Sequence, residues 1–312
     1  MDSLTVIIPT FNRNAVLKRA LEAYCAQKAP EAIHELIVVD DGSTDDTEST
    51  VAEMGLASPF PLRYLRQTNL GPAAARNLGI RTANSSVILF TDSDVVPTAD
   101  LVAEHLEWHN EHPQENVAVL GYVTWPSQPR PTQFMRWYGE RQLFAYRRIR
   151  QEQHLDASSF YTSNLSLKTQ FLTENGLFDE GFKTAAYEDL ELGYRLSKAG
   201  LRLLFNPRAV AYHHQFFRFS DACRKSNENG AARKVFFRTE MGRDVLERQR
   251  QRRSQPRYRM ARFGATALAT ILDPATRFVD SDLRFPSSLY RLLFWHHTTG
   301  PLELDDSASA LG

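Results

Sequence analysis

Val87-Ile88-Leu89-Phe90-Thr91-Asp92-Ser93-Asp94 passes from a continuous apolar run to two carboxylates within a few residues. A run this short and apolar reads as a strand buried on both faces, the kind found in parallel sheets covered by helices. Three comparable runs precede it, at residues 4–9, 35–39 and 62–65. Between the first two, Val16, Leu17, Ala20, Leu21, Tyr24 and Cys25 recur as one stripe of an amphipathic helix. Asp40-Asp41-Gly42-Ser43-Thr44 is a turn cluster that caps a helix predicted over about 45–54. Pro72 opens another helix that reaches Thr82. Single helices between buried strands predict an α/β fold, and ligands of such sheets bind at the carboxyl ends of the strands. That rule gathers residues 9–13, 40–44 and 91–94 on one edge of the molecule.

Downstream, a helix is predicted over 100–112 and a strand over 117–123. Pro126, Pro129 and Pro131 then exclude regular structure. Residues 134–150 are aromatic and basic and read as a helix or lid. A strand over 163–168, a short helix ended by Gly176, a helix over 188–200 closed by Gly200, and short strands at 201–205 and 210–212 follow. Beyond His214 the pattern becomes long, arginine-rich and helical. The 312 residues carry 37 Lys and Arg against 37 Asp and Glu, which excludes a protein that acts by uniform charge. Cys25 and Cys223 form neither a disulfide framework nor a zinc ribbon. The chain opens on a strand-like run instead of a basic and apolar leader, and no stretch approaches the roughly 18 apolar residues of a membrane span. The expectation is a cytoplasmic protein.

Several short motifs carry chemistry. Two carboxylates at i and i+2 beyond a strand end, Asp92 and Asp94, suit a hard divalent cation, and equally a solvated turn. Asp40-Asp41 at the end of the second strand suits a base or ribose contact, or an N-cap. Asn69-Leu70-Gly71-Pro72-Ala73-Ala74-Ala75-Arg76-Asn77 places an arginine one turn into a helix, which suits an anion or a plain surface position. Glu188-Asp189 opens a helix, where one carboxylate complements the N-terminus and the other is available. His213-His214 ends a strand, so one of the two at most faces the crevice. The first strand is followed by Pro9-Thr10-Phe11-Asn12-Arg13, with neither a glycine-rich dinucleotide loop nor a P-loop.

In their order and spacing these pieces resemble family 2 glycosyltransferases of the GT-A fold. The resemblance runs from Val6-Ile7-Ile8-Pro9-Thr10-Phe11-Asn12-Arg13 through Val38-Val39-Asp40-Asp41-Gly42-Ser43 and Phe90-Thr91-Asp92-Ser93-Asp94. It continues through Asn164-Leu165-Ser166, Gly176-Leu177-Phe178-Asp179-Glu180 and Glu188-Asp189-Leu190-Glu191-Leu192-Gly193, covering about residues 1–215. It implies a Rossmann-like mixed sheet flanked by helices. Residues 1–98 would form the nucleotide-sugar half, 99–215 the acceptor half, and 216–312 a helical C-terminal extension. It implies a nucleotide pocket lined by Pro9, Thr10 and Arg13, with Asp41 on the base, Arg76 nearby, and Asp92 and Ser93 toward the ribose. Asp94, with Asp92 and His213, would ligate Mg²⁺ or Mn²⁺, and Asp189 would be the general base.

The reaction so implied is inverting transfer of a single sugar from a nucleoside diphosphate sugar, UDP-linked by family precedent, to a carbohydrate or lipid-linked acceptor hydroxyl. Its setting would be surface polysaccharide or glycolipid assembly. The processive synthases of this family carry transmembrane helices, and no stretch here approaches the length of an apolar span, so single transfer is expected. Two other readings stand beside this one, a nucleotidyltransferase of similar fold and a non-catalytic nucleotide-sugar binding module. Residues 224–262 hold thirteen Lys and Arg against four acids. Such a segment suits peripheral attachment to an anionic membrane, on its inner face for a cytoplasmic protein, or a solvated helix. No nucleic-acid motif accompanies it, and no nucleic-acid partner is expected.

Overall fold

The computed structural model describes residues 3–143, 146, 149, 155–281, 283 and 285–298, with the backbone alone for 256–262. The chain divides into two units. One contains the described residues up to Pro126 and from Tyr146 to Gln215; the other contains Ser127–Leu143 and the described residues from Phe216 onward.

The first unit alternates strand and helix. Its elements are β1 (Leu4–Thr10), α1 (Asn14–Cys25), β2 (Ile33–Asp40), α2 (Thr47–Gly55), β3 (Leu62–Arg66), α3 (Pro72–Thr82), β4 (Val87–Thr91), β5 (Val95–Pro97), α4 (Leu101–Glu111) and β6 (Val117–Thr124). After α5 (Gln133–Tyr138) of the second unit, it resumes with β7 (Asn164–Lys168), α6 (Thr169–Asn175), α7 (Glu188–Lys198) and β8 (Arg202–His213). All eight strands join one sheet, in the order β3-β2-β1-β4-β7-β6-β8-β5. β3, β2, β1 and β4 run parallel, as the buried runs predict. Val6, Ile7, Ile8, Leu36, Ile37, Val38, Val39, Ile88, Leu89 and Phe90 have no exposed surface. Each such side chain contributes about 1.5–3 kcal/mol through burial. Ala73, Ala74 and Ala75 bring α3 close to the sheet, and Leu17, Ala20, Leu21 and Tyr24 seat α1.

Beyond β4 the sheet is mixed. β7 is antiparallel to β4 and to β6, β8 is parallel to β6, and β5 is antiparallel to β8. The two short strands expected at 201–205 and 210–212 are one strand, β8. Its register against β6 jumps from Gly121↔Asn206 to Tyr122↔Val210, so Pro207, Arg208 and Ala209 bulge out. A bulge is where a strand tolerates proline. β5, three residues long and not anticipated, pairs Val95 with His213 and so draws the end of β8 beside Asp94.

A buried polar network ties α4 to β7. His105 Nδ1 and His109 Nε2 each lie 2.8 Å from Ser166 Oγ, and His105 Nε2 lies 2.8 Å from Asn164 Oδ1. Asn164 Nδ2 donates to the Ala209 carbonyl, so its Oδ1 accepts and His105 carries its proton on Nε2. The Ser166 hydroxyl then donates to His105 Nδ1 and accepts from His109 Nε2. Both imidazoles are neutral in this pattern. Burial agrees, pushing His105 down to about 4 and His109 down to about 3.

The second unit is helical in its described residues: α5, then α8 (Phe219–Glu228), α9 (Gly230–Phe236), α10 (Glu240–Ser254), α11 (Pro256–Leu272) and α12 (Ser287–His297). Its core is aromatic. Phe134 packs on Tyr138 and Phe219, and Trp137 stacks on Tyr290 with centroids 5.6 Å apart. The helix or lid expected over 134–150 is the short α5, capped by Thr132 and followed by one wide turn, Gly139–Leu143. Most of the remainder of that stretch lies outside the described residues. Among the described residues no helix is long and apolar enough to cross a membrane.

Candidate active site

The loops at the carboxyl ends of β1 and β2 are laced together. Asn12, in the left-handed region at φ 51°, donates from its backbone N–H to Ser43 Oγ at 2.9 Å and accepts from the Thr44 N–H at 2.8 Å. Asp45 accepts from the Asn14 N–H at 2.9 Å, which fixes the start of α1. Thr10 is buried at the end of β1, and its Oγ1 has no partner. Pro9 pairs with Val39 across the sheet, which places it one residue below this edge.

Asp40 and Asp41 differ in role. Asp40 accepts from the Ser43 N–H and from the Tyr64 hydroxyl, so it is spent inside the fold. Asp41 grips the loop between β3 and α3. Its Oδ1 accepts from Gln67 Nε2 at 2.7 Å and the Leu70 N–H at 2.8 Å, and its Oδ2 accepts from the Gly71 N–H at 2.9 Å. A carboxylate has about four acceptor positions, so one remains on Oδ2 for a ligand N–H. Gly71 sits at φ 95°, and a Cβ there would come within 2.9 Å of the Lys183 backbone.

Arg76 is 3% exposed and bridges two carboxylates instead of facing solvent. It donates from Nη2 to Asp92 Oδ1 at 2.9 Å and from Nη1 to Glu188 Oε1 at 3.0 Å, over the Phe178 ring. Arg76 Nε and Glu188 Oε2 are buried without hydrogen-bond partners. Asn77 exchanges hydrogen bonds with the Phe178 backbone and donates to Glu180. The segment that leads into α7 is thereby fastened to α3. Tyr187, immediately before α7, adopts φ 72°. With Asn12 it is one of two non-glycine residues at positive φ among the described residues, and both border this edge. Strained backbone of this kind concentrates at functional sites.

Asp189 lies in the first turn of α7 and accepts from the Leu190 N–H. Burial, and next the Glu188 carboxylate beside it, push it up to about 7, against the pull of Arg76. Burial also raises Glu188, with Arg76 opposing. A carboxyl near 7 holds and releases a proton close to neutral pH, which suits a general base.

A tight turn, with the Val95 N–H donating to the Asp92 carbonyl, presents Asp92, Ser93 and Asp94 beyond β4. Ser93 and Asp94 are each 4% exposed. Arg13 Nη1 donates to Asp94 Oδ2, and His213 Nε2 lies 3.7 Å from Asp94 Oδ1. The His214 N–H fixes the turn by donating to the Asp94 carbonyl at 2.7 Å. Trp125 meets the His213 ring edge-on at 5.3 Å. Among the described residues no three His, Cys, Asp or Glu side chains form a metal-binding group. Asp92 turns to Arg76. One carboxylate oxygen and one imidazole nitrogen do converge, a donor pair that suits Mn²⁺ or Mg²⁺ when water and phosphate oxygens complete the shell.

Sequence reasoning left Glu188, Trp125 and Ser163 out of the site. Glu188 was visible as the neighbour of Asp189, but its partner Arg76 is 112 positions away. Ser163 precedes Asn164, which pairs with Thr91, so it falls opposite Asp92; its buried Oγ has no partner. No local pattern marks Trp125.

Eight strands with this order and a carboxylate-bearing turn after β4 define a GT-A glycosyltransferase fold. The mannosyltransferase PcManGT from Pyrobaculum calidifontis, solved with GDP-Man and Mn²⁺, matches it at a TM-score of 0.55 and 19% identity, over 99% of this chain and 73% of its own. The chain belongs to glycosyl transferase family 2, whose model matches residues 5–172. A validoxylamine A glucosyltransferase of Streptomyces hygroscopicus subsp. limoneus is 32% identical over 222 residues, 64% of this chain and 48% of the relative. The uncharacterized glycosyltransferase YfnE of Bacillus subtilis (strain 168) is 29% identical over 257 residues, 68% of this chain and 64% of the relative. The match thus spans about half to just under two thirds of these relatives' length.

Proposed function

We propose that the protein is an inverting glycosyltransferase that moves one sugar from a nucleoside diphosphate sugar to an acceptor hydroxyl. The observation that carries this reading is the chain Asp92–Arg76–Glu188, which joins the turn after β4 to the helix start bearing Asp189. One end is suited to a diphosphate and the other to a proton. Asp189 takes the acceptor's proton as the acceptor oxygen attacks the anomeric carbon. The bond to the diphosphate breaks on the opposite face, so the anomeric configuration inverts and the nucleoside diphosphate leaves. Thr10, Arg13, Asp41 and Ser93 border the donor's nucleotide side. Arg13 supplies positive charge there, Arg76 holds Asp92 in place, and Pro9 fixes the end of β1. Asp94 and His213 would hold a divalent cation, which would supply charge neutralisation for the leaving diphosphate.

The first unit carries this chemistry in the present reading. A relative named as a glucosyltransferase supports sugar transfer. The acceptor is a carbohydrate or lipid-linked hydroxyl of surface polysaccharide or glycolipid assembly, and the donor's nucleoside is uridine. A panel of sugar nucleotides labelled in the sugar, UDP-linked first, tests the reading. Labelled glycoside of inverted configuration together with free nucleoside diphosphate is expected. Release of pyrophosphate would indicate a nucleotidyltransferase, and binding without turnover a binding module; either would overturn the proposal.

A further inference from the structure

We propose that the face formed by α10 and α11 docks onto an anionic lipid surface, with α11 lying in the interface. The argument is independent of the reaction assigned to the first unit. Residues 224–262 carry thirteen basic residues against four acids, in a chain whose net charge is zero. On α10, Arg248, Arg250 and Arg253 are exposed, and no acid pairs with them among the described residues. These arginines are not neutralised by the fold.

The next helix carries the apolar counterpart. Phe263 is 80% exposed, Ile271 73% and Leu268 48%. Residues 263, 267 and 271 recur at i, i+4 and i+8, so Phe263, Ala267 and Ile271 fall on one face, with Leu268 flanking them. Ala269, on the opposite side, is fully buried. Phe278 and Leu283 extend the exposed apolar surface just beyond α11. Among the described residues, five of the nine exposed large hydrophobic side chains thus lie between 263 and 283. Scattered singly they would need no explanation; three of them recur along α11, the helix that follows arginine-bearing α10, and form a binding surface.

Charge and apolarity together select the occupant. An arginine-rich surface with aromatic and aliphatic side chains on an adjoining helix matches headgroup phosphates over acyl chains. A nucleic acid would use the arginines and leave Phe263 and Ile271 in water. A second copy of the chain would oppose one basic segment to another. Among the described residues no helix is long and apolar enough to span a bilayer, so the contact is peripheral.

Co-sedimentation of the full chain with vesicles tests this. Pelleting with phosphatidylcholine–phosphatidylglycerol vesicles at low salt, and recovery in the supernatant with phosphatidylcholine alone, is expected. The quadruple change Arg248→Gln, Arg250→Gln, Arg252→Gln and Arg253→Gln should weaken partitioning about tenfold or more. Phe263→Asp with Ile271→Asp should abolish the binding that persists as salt is raised. These positions lie toward solvent, and far-UV circular dichroism checks that the helices remain. Equal recovery in the supernatant with both lipids overturns the proposal. So does binding that ignores the Phe263 and Ile271 changes and is matched by duplex RNA, which would be polyanion binding. A lipid-free dimer that these two changes dissociate would assign the face to a second copy and overturn it as well.

Discussion

Asp189 and Glu188 are neighbours in sequence with opposite circumstances. Glu188 is gripped by Arg76, whereas Asp189 accepts a backbone N–H and is held up to about 7 by burial and by the Glu188 carboxylate beside it. A base must be deprotonated to act, so kcat/KM should rise with pH through about 7 and level off above it. Asp189→Asn should cut turnover at least about 100-fold while calorimetry shows unchanged nucleotide binding. The same substitution should raise stability at pH 8. The folded-state pKa lies above the ordinary value, so ionised Asp189 opposes folding at high pH, and the benefit of Asn should shrink as pH falls toward 4. Thermal melts of both proteins across that range check it. Asp94→Asn, or EDTA, should remove most activity with the fold intact, and full turnover in EDTA would exclude a role for Asp94 as a metal ligand. Arg76 faces two carboxylates from a buried position. Arg76→Met leaves both without a cation and should cost about 3–5 kcal/mol in urea unfolding, as breaking a buried ion pair generally does.

At the scale of elements, β1, β2 and β4 were legible because their apolar runs end abruptly in polar turns. The positions of the edge loops followed from that. The direction of β7 was not legible, since Asn164-Leu165-Ser166-Leu167-Lys168 reads the same in a parallel or antiparallel neighbour. Pro207 concealed the continuity of β8, and Val95-Val96-Pro97 is too short to register as a strand. The site was legible where it lies in one motif, as at Asp92-Ser93-Asp94. It was illegible where it depends on partners distant in sequence, as for Glu188 beside Arg76; His213 beside Asp94 followed from the family resemblance and from no local pattern. The loop between β3 and α3 shows the cost of such distant fitting. Asp41 holds it by the Leu70 and Gly71 amides, and Gly71 has both a positive φ and the Lys183 backbone against it. Gly71→Ala should therefore destabilise the protein by more than about 1 kcal/mol. It should also raise KM for the donor more than it lowers kcat, because the loop borders the nucleotide side in the proposed reaction. Denaturant titration and donor saturation curves check the two effects separately.

For the whole molecule, one acid-sensitive feature lies in the core, away from the proposed reaction. His105 and His109 project from one face of α4 into the network with Ser166 and Asn164, which ties a helix to the middle of the sheet. Protonating His105 would place a second donor where the Ser166 hydroxyl already donates, and protonating His109 would put an N–H on Nδ1, which is buried without a partner. Burial holds both rings below their ordinary value of 6.5; Lys168 and the other histidine add to the effect at His109, and the Asn164 contact opposes it at His105. Unfolding frees the rings to take up protons below about 6.5, so the unfolded state binds more protons than the native one between that pH and about 4. Stability is then full above the unfolded pKa and falls as pH drops through this window, by up to about 1.4 kcal/mol per pH unit for each histidine. Urea unfolding at a series of pH values should show that slope. In His109→Gln one of the two proton uptakes is gone, so the slope over the same window should be shallower even if the variant is less stable at pH 8. The carboxylates titrate alike in both proteins and cancel in the comparison. An unchanged slope would mean that His109 takes up its proton in the native state, and the neutral network would not be the form present at mildly acidic pH.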